Sequence, residues 1–170
     1  MTTSPASITI RPLLSSDAHA IVEGVTRSRD ALRRWMPWYR DDYDLATAEE
    51  WVRQSVAGAA AGTNFEFVMR EADDAFVGVL GLEGVDAETG RAMIGYWVAT
   101  DAVGRGIGRR AIALAVEWAR RHTELRVIWA VVAEENRPSR RVLEINGFQV
   151  VETKGIDDRG DVALIYELAL

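Results

Sequence analysis

The feature that most constrains the fold is a glycine-rich turn that joins a strand to a helix. Residues 92–99 are apolar and β-prone, residues 109–122 carry apolar side chains at helical spacing, and Gly104, Gly106 and Gly108 lie between them. Because glycine has no Cβ, the backbone of this turn can take positive φ and approach a ligand closely. The unpaired amides and the positive dipole end of the following helix favour an anion such as phosphate. The turn therefore predicts an anion-binding junction.

Three arginines add positive charge to the same junction, at Arg105, Arg109 and Arg110. A helix N-terminus disfavours cations, so we expect a negative group to offset them. Two other phosphate loops fit poorly, because a P-loop needs Lys and then Ser or Thr after its last glycine, and the dinucleotide fingerprint needs wider glycine spacing. The alternative interpretation is a tight strand-to-helix connection that binds nothing.

The bulk composition limits the class of protein. The chain has 170 residues, of which 48% are hydrophobic, so we predict one domain over 1–170 with residues 1–6 as a flexible N-terminus. A net charge of −6 argues against general nucleic-acid binding. The absence of cysteine excludes disulfides and a thiol nucleophile. No apolar run or signal pattern indicates membrane insertion or export, so we expect a cytoplasmic protein.

Periodicity predicts a mixed α/β chain in which antiparallel N-terminal strands precede a parallel strand–helix–strand unit. Capping side chains at 15–17 and a capping box at 47–50 each predict a helix start. The predicted strands are 8–13, 65–69, 76–82, 92–99, 125–132, 148–154 and 162–168. The predicted helices begin near residues 18, 29, 47, 109 and 136 and include 29–36 and 109–122.

An aromatic segment, Trp35, Trp38 and Tyr39, stands beside an acidic run at 41–44. Large rings on a loop are either a core plug or the wall of a pocket. The neighbouring carboxylates either attract a cationic amine or form a solvated turn. The sequence leaves both pairs of alternatives open.

Two motifs carry a family resemblance. Val103-Gly-Arg-Gly-Ile-Gly-Arg109 resembles the acyl-CoA pyrophosphate loop of the GNAT N-acetyltransferases. Asn136-x-x-Ser139-x-x-Val-x-Glu144-x-x-Gly147-Phe148 resembles the second motif of their RimJ/RimL branch. The aromatic segment and Ile94-Gly-Tyr-Trp97 are also similar to that branch. The resemblance implies a GNAT-like fold with a splayed central sheet, and an acyltransferase that uses acetyl-CoA as cosubstrate and no metal.

The resemblance also implies roles for individual residues. The pantetheine arm would pair with the backbone of Tyr96, Trp97 and Val98 and contact Asn136. Ser139 would protonate the leaving thiolate, and a backbone amide at Val98 would stabilise the oxyanion. Apart from the resemblance, the crowding of aromatic rings beside the acidic run predicts that the acceptor, a small-molecule amine or a protein N-terminus, lies against the aromatic segment. The pyrophosphate would bind the amides of Gly104, Arg105, Gly106, Ile107, Gly108 and Arg109.

Departures from the family pattern leave the general base open. Leu143 occupies the usual tyrosine position, which excludes a tyrosine acid there, and Val131 stands where some ribosomal-protein acetyltransferases have a glutamate. Glu83 is the first candidate base, with Asp42 and Asp157 behind it and a water chain as the other route.

Three classes of function remain at this stage: an N-acetyltransferase acting by direct attack in a ternary complex, a non-catalytic acyl-CoA-binding protein, and a nucleotide-binding module. Release of free thiol from acetyl-CoA in the presence of a panel of amines distinguishes the first class from the second. Competition between CoA and ATP or NAD for binding distinguishes the third class from both. A partner of nucleic acid or membrane is not expected, and a homodimer is left open.

Overall fold

Seven strands form one mixed sheet in the order β1-β2-β3-β4-β5-β7-β6. The structure, a computed structural model, describes residues 7–156 and 160–170. The strands are β1 Ile8–Pro12, β2 Phe65–Glu71, β3 Phe76–Asp86, β4 Arg91–Val98, β5 Val127–Ala133, β6 Gln149–Ile156 and β7 Val162–Ala169. The helices are α1 Ala18–Arg27, α2 Arg29–Trp35, α3 Leu45–Ala61, α4 Ile107–His122 and α5 Arg137–Ile145. Short 3-10 turns lie at Ser15–Asp17 and Thr100–Ala102.

The predicted meander and crossover are both present. β2, β3 and β4 pair antiparallel in sequence order, as the turn residues between them predict. β4 then continues through α4 into β5, which pairs with β4 in parallel. The predicted boundaries shift by up to four residues. Helix α4 already begins at Ile107, β5 begins at Val127, and β3 continues to Asp86. The mixed α/β fold class is confirmed.

The two faces of the sheet are covered by different helices. Tyr96 and Trp97 are successive residues of β4, so their side chains point to opposite faces. A Cβ on Gly24 of α1 would lie 3.0 Å from the Trp97 ring, and a Cβ on Gly108 of α4 would lie 3.0 Å from the Tyr96 ring. Helix α1 therefore covers one face and α4 covers the other, and we call these the α1 face and the α4 face.

One predicted helix start and one predicted cap need correction, although α1 begins at Ala18 as predicted. The capping residue of α3 is Asp44, whose carboxylate accepts a hydrogen bond of 2.8 Å from the Thr47 amide, so the helix begins three residues before the predicted capping box. A charged oxygen at this position binds the N3 amide and favours the earlier start. Asp17 does not cap α1; its carboxylate accepts bonds from the Leu14 amide and from Arg11. Helix α3 ends at Gly62, which takes the left-handed C-cap conformation with a φ of 73°.

Asp17 is the centre of a buried charge cluster that joins β1, the first 3-10 turn and β2. Its carboxylate is 1% exposed and accepts from Arg11 at 2.6 Å and Arg70 at 3.2 Å. Burial would raise the pKa of Asp17, but the hydrogen bonds from Arg11, the Leu14 amide and Arg70 outweigh it and lower the pKa. The cluster fixes the entry of the chain into α1.

The predicted flexible N-terminus, residues 1–6, and the candidate base Asp157 lie outside the described residues. Among the helices of the described ranges, none combines the length and the apolar character needed to cross a membrane.

Candidate active site

The central sheet opens between β4 and β5. The parallel pairing covers Arg91–Met93 against Val127–Trp129, and beyond that point β3 is the only partner of β4 among the described strands. The last residues of both strands, from Gly95 to Trp97 and from Ala130 to Ala133, line one cleft of about 1340 Å³. The strands therefore diverge and leave backbone groups of β4 free on the side that faces β5.

The glycine turn presents open amides at the start of α4. Gly104 and Gly106 both have a φ of 78°, and a Cβ on either would have no heavy atom within 4 Å. The first helical hydrogen bond runs from the Arg110 amide to the Gly106 carbonyl, so the amides of Ile107, Gly108 and Arg109 have no carbonyl acceptor within the helix. Such a turn fits a pyrophosphate, as the sequence predicts.

Gly108 has a different role from the one that its spacing predicts. It lies within α4 and does not take positive φ. Its missing Cβ instead gives room to the Tyr96 ring, which lines the cleft. Gly108 thus brings the start of α4 close to the cleft wall.

The loop arginines divide into two kinds. Arg105 forms an ion pair of 2.7 Å with Glu71 of β2, so part of the expected negative charge comes from the protein itself. Within the ranges that the structure describes, Arg109 and Arg110 form no ion pair. Their charges are available to an anion at the same helix end.

Ser139, Asn136 and Tyr96 meet on the cleft wall. The Tyr96 hydroxyl donates a hydrogen bond of 3.3 Å to Ser139 Oγ, and the Ser139 amide donates one of 3.3 Å to Asn136 Oδ1. Burial raises the pKa of Tyr96 more than this bond lowers it, so the phenol keeps the proton that it donates to Ser139. The hydroxyl proton of Ser139 is therefore left to point elsewhere. Asn136 caps α5 with its oxygen and keeps its amide nitrogen for other contacts.

Glu144, another residue of the second motif, helps to fix helix α5 to the sheet. It accepts a hydrogen bond of 3.2 Å from Tyr166, whose side chain is fully buried. Arg140 donates to the same hydroxyl at 3.1 Å. Glu144 and Arg140 therefore hold α5 against β7 and keep Ser139 in place.

The aromatic segment lies partly on the cleft. Trp35 and Trp38 line it, and Trp38 is 42% exposed. Tyr39 does not line the cleft; its ring contacts Trp38 at 6.4 Å and its hydroxyl donates to Asp41. Val98 also stands outside the cleft lining, at the end of β4.

The three aspartates of the acidic run do not line the cleft, whereas Tyr43 between them does. Asp41 pairs with Arg33, Asp42 pairs with Arg40 at 3.0 Å, and Asp44 caps α3. The Arg40 hydrogen bond lowers the pKa of Asp42, which makes this carboxylate a weaker base. Each acid is thus used by its own neighbours, and the solvated-turn interpretation fits the structure better.

Two glutamates line the cleft. Glu83 is exposed to it from β3, and partial burial raises the pKa of its carboxyl. Glu66 of β2 is 6% exposed, and burial together with the charge of Glu83 raises its pKa to about 8. Sequence reasoning missed Glu66. The available signal was a single charged residue inside the apolar strand Phe65-Glu-Phe-Val-Met.

The described residues contain no group of three or more His, Asp or Glu side chains placed to hold a metal ion. The arrangement consists of an anion-binding turn, an opened sheet, hydroxyl groups on one wall and carboxyl groups on another. It suits the transfer of a group carried by a long phosphate-bearing molecule.

Comparison with known proteins agrees with this geometry. A family model described as an acetyltransferase (GNAT) domain matches residues 7–149. A Bacillus subtilis (strain 168) protein named "Putative ribosomal N-acetyltransferase YdaF" is 30% identical over 148 residues, covering 83% of this chain and 77% of its own length.

Solved structures have the same architecture. Mycobacterium smegmatis RimJ in complex with CoA-disulfide superposes with a TM-score of 0.88 at 28% identity, covering 97% of this chain and 83% of that one. RimL, a ribosomal L7/L12 alpha-N-protein acetyltransferase in complex with coenzyme A, shares the fold with a TM-score of 0.89 at 19% identity, covering 98% of this chain and 96% of that one. The chain belongs to the GNAT family, as an acyltransferase of its RimJ/RimL-like branch that uses acetyl-CoA as cosubstrate.

Proposed function

We propose that this enzyme transfers the acetyl group of acetyl-CoA to a primary amine by direct attack in a ternary complex. The acceptor is a protein N-terminal α-amine or a small-molecule amine. The observation that carries the proposal is the cleft at the β4–β5 opening, which is lined by Tyr96 and Ser139 on one wall and by Trp38 and Glu83 on another. One space thus holds groups suited to a leaving thiolate and groups suited to an amine.

The cosubstrate would be held mainly by backbone groups. The pyrophosphate fits the open amides from Gly104 to Arg109, and the free edge of β4 at Tyr96, Trp97 and Val98 would pair with the pantetheine arm. Asn136 lines the cleft and has a side-chain amide nitrogen available for the same arm. An amide near Val98 would stabilise the oxyanion of the tetrahedral intermediate.

Ser139 would act on the leaving group. As the amine nitrogen bonds to the thioester carbon, the C–S bond breaks and the thiolate takes the Ser139 hydroxyl proton. The hydrogen bond donated by Tyr96 supports this role, because it occupies a lone pair of Ser139 Oγ and leaves the serine proton free. A base on the other wall removes the proton of the amine, and Glu83 fits that role by position. The chain has no cysteine to carry an acetyl-thioester.

The acceptor class can be tested directly. The relative YdaF is named for ribosomal acetylation, and a structure with the same fold is a spermidine N-acetyltransferase in complex with CoA and spermine. We expect thiol release from acetyl-CoA when N-terminal peptides or polyamines are supplied, with the product identified by mass spectrometry. A protein that binds CoA but releases no thiol with any amine would instead be an acyl-CoA-binding protein.

Ser139→Ala tests the leaving-group role. We expect kcat and kcat/KM to fall together by about 100-fold, with CoA affinity unchanged. The cap of α5 survives because it uses the Ser139 amide. Ser16→Ala, at an exposed serine, is the control. Because CoA release can hide the chemical step, the burst of thiol release must be measured, and a wild-type burst rate would refute the role.

A further inference from the structure

Glu66 is a buried carboxyl group with no partner. Its side chain is 6% exposed, and among the described residues no hydrogen bond or ion pair reaches it. A buried carboxylate without a partner lowers stability, so such groups concentrate at sites where they act on a ligand. Glu66 lines the cleft and is therefore within reach of a bound molecule.

The neighbouring strands leave space for the Glu66 carboxyl group. Glu66 on β2, Gly81 on β3 and Gly95 on β4 are paired in one row across the sheet. A Cβ on Gly81 would lie 2.2 Å from Glu66 Oε2 and 2.5 Å from Oε1, so the carboxyl group lies directly over this glycine. Gly95 leaves the next position in the row open to the cleft.

Glu83 stands beside the same row. It follows Gly81 by two residues on β3, so both point to the same face. A Cβ on Gly95 would lie 3.8 Å from Glu83 Oε1. Two carboxyl groups, the buried one of Glu66 and the exposed one of Glu83, thus lie beside Gly81 and Gly95 on the α1 face.

The surroundings place few other charges near Glu66. The ionisable side chains that line the cleft with it are Glu83 on β3, Tyr43 before α3, Tyr96 on β4 and Lys154 on β6. Of these, only Glu83 acts on Glu66 through its charge. The elements that pack over this row, α1 and α3, contribute no ionised group to the cleft; their lining residues are Ile21, Thr47, Trp51, Gln54 and Ser55.

We propose that the Glu66 carboxylate takes the proton from the ammonium group of the acceptor, while Glu83 holds the positive charge at the mouth of the cleft. The proposal rests on the proposed acetyl transfer and reassigns its base, from Glu83 to the buried Glu66. Glu66 lies on the α1 face, whereas Tyr96 points to the α4 face. The amine therefore loses its proton on one side of the opened sheet, and the thiolate leaves on the other.

The protons balance in this scheme. Glu66 takes one proton from the ammonium, and the free amine forms the C–N bond as the C–S bond breaks. The nitrogen then releases a second proton, which restores the proton that Ser139 gives to the thiolate. Glu66 returns its own proton to solvent through Glu83. The sum is ammonium plus acetyl-CoA giving amide, CoA thiol and one proton.

The test is the pH profile of kcat/KM, measured with the best amine from the acceptor screen. The wild-type rate should rise with pH and level off as Glu66 ionises. Glu66→Gln should lower kcat at pH 7 by about 100-fold. Its rate should then rise about tenfold per pH unit toward the pKa of the amine, because only free amine from solution reacts. Glu83→Gln should mainly raise the KM of the amine.

Two further variants separate the base from a structural role. Gly81→Ala keeps the Glu66 charge but displaces its carboxyl group, so it should lose kcat like Glu66→Gln while CoA binding persists. Glu49→Gln, at an exposed glutamate of α3, should match the wild type.

The outcomes distinguish this proposal from the proposed function. If the wild type acetylates an amine and Glu66→Gln keeps its rate and pH profile, Glu66 is not the base. If the wild type binds CoA and acetylates no amine, the proposed transfer itself fails. A loss of CoA affinity in both Glu66→Gln and Gly81→Ala would mean that Glu66 supports the fold, and would overturn the proposal.

Discussion

Replacing Glu66 by Gln should stabilise the protein, and the gain should grow with pH. Glutamine has nearly the same shape as glutamic acid but cannot ionise, so it removes the cost of a buried charge and keeps the packing. The native carboxyl group is 6% exposed and has no partner, and its pKa is raised from 4.5 to about 8. Between these two values the native state holds a proton that the unfolded chain has released.

The sign follows from this difference in bound protons. Because the native state binds more protons than the unfolded state between pH 4.5 and pH 8, the free energy of unfolding falls as pH rises through that range. A pKa raised to about 8 corresponds to about 5 kcal/mol when the whole range is crossed. Solvent screening in the open cleft reduces this value, so we expect about 2–5 kcal/mol.

The measurement is urea unfolding without CoA, followed by tryptophan fluorescence at pH 5, 7 and 9. Glu66→Gln and the wild type should unfold with similar free energies at pH 5 and differ increasingly toward pH 9. Glu49→Gln, an exposed substitution of the same chemistry, should follow the wild type throughout. Parallel curves for Glu66→Gln and the wild type from pH 5 to pH 9 would refute the reasoning, because the carboxyl group would then titrate normally.

Gly106→Ala should weaken CoA binding by at least about tenfold in calorimetry, because its methyl group enters the space where a phosphate would approach the loop amides. Gly62→Ala carries the same backbone strain at a helix end and should leave CoA affinity unchanged, so equal losses would contradict the loop assignment. Trp38→Ala should raise the amine KM by at least about tenfold with little change in CoA affinity, and a matched loss for both ligands would indicate a structural plug. Asp17→Asn should cost about 3–5 kcal/mol at pH 7, since it leaves Arg11 and Arg70 without their buried partner. The wild-type advantage should disappear as pH falls through the lowered pKa of Asp17, and a difference that stays constant to pH 2 would rule out the charge cluster as its source.

Features of the chain that depend on local chemistry were predictable from the sequence. The strand–turn–helix junction follows from periodicity and from Gly104 and Gly106, whose positive φ no other residue adopts as cheaply. The cap at Asn136 follows from its position before a proline-containing helix start. These features involve residues within a few positions of each other, where spacing alone fixes the geometry.

Features that depend on partners far along the chain were not predictable in this way. Gly108 is required by the ring of Tyr96, twelve residues earlier on a different element, and not by its own backbone angle. The sequence predicted that a bound anion offsets the charge of Arg105, but Arg105 forms an ion pair with Glu71 of β2. In both cases the sequence identified a residue of the site but not its full role. The role depends on a contact with a distant residue, and that contact is set by how the strands and α4 pack together.

Glu66 shows most clearly why the sequence alone did not identify every residue that lines the cleft. In the alternation of β2, Glu66 falls on the face opposite to Phe65 and Phe67, which contact Trp118 of α4. A polar residue at such a position is ordinarily solvent-facing. Here α1 and α3 cover that face, and the two glycines beside Glu66 keep a cleft open beneath them. The sheet is covered on both faces and parted between β4 and β5, so one cleft has walls on two sides. Under the proposed transfer, the residue that meets the acceptor on one side need carry no motif of its own.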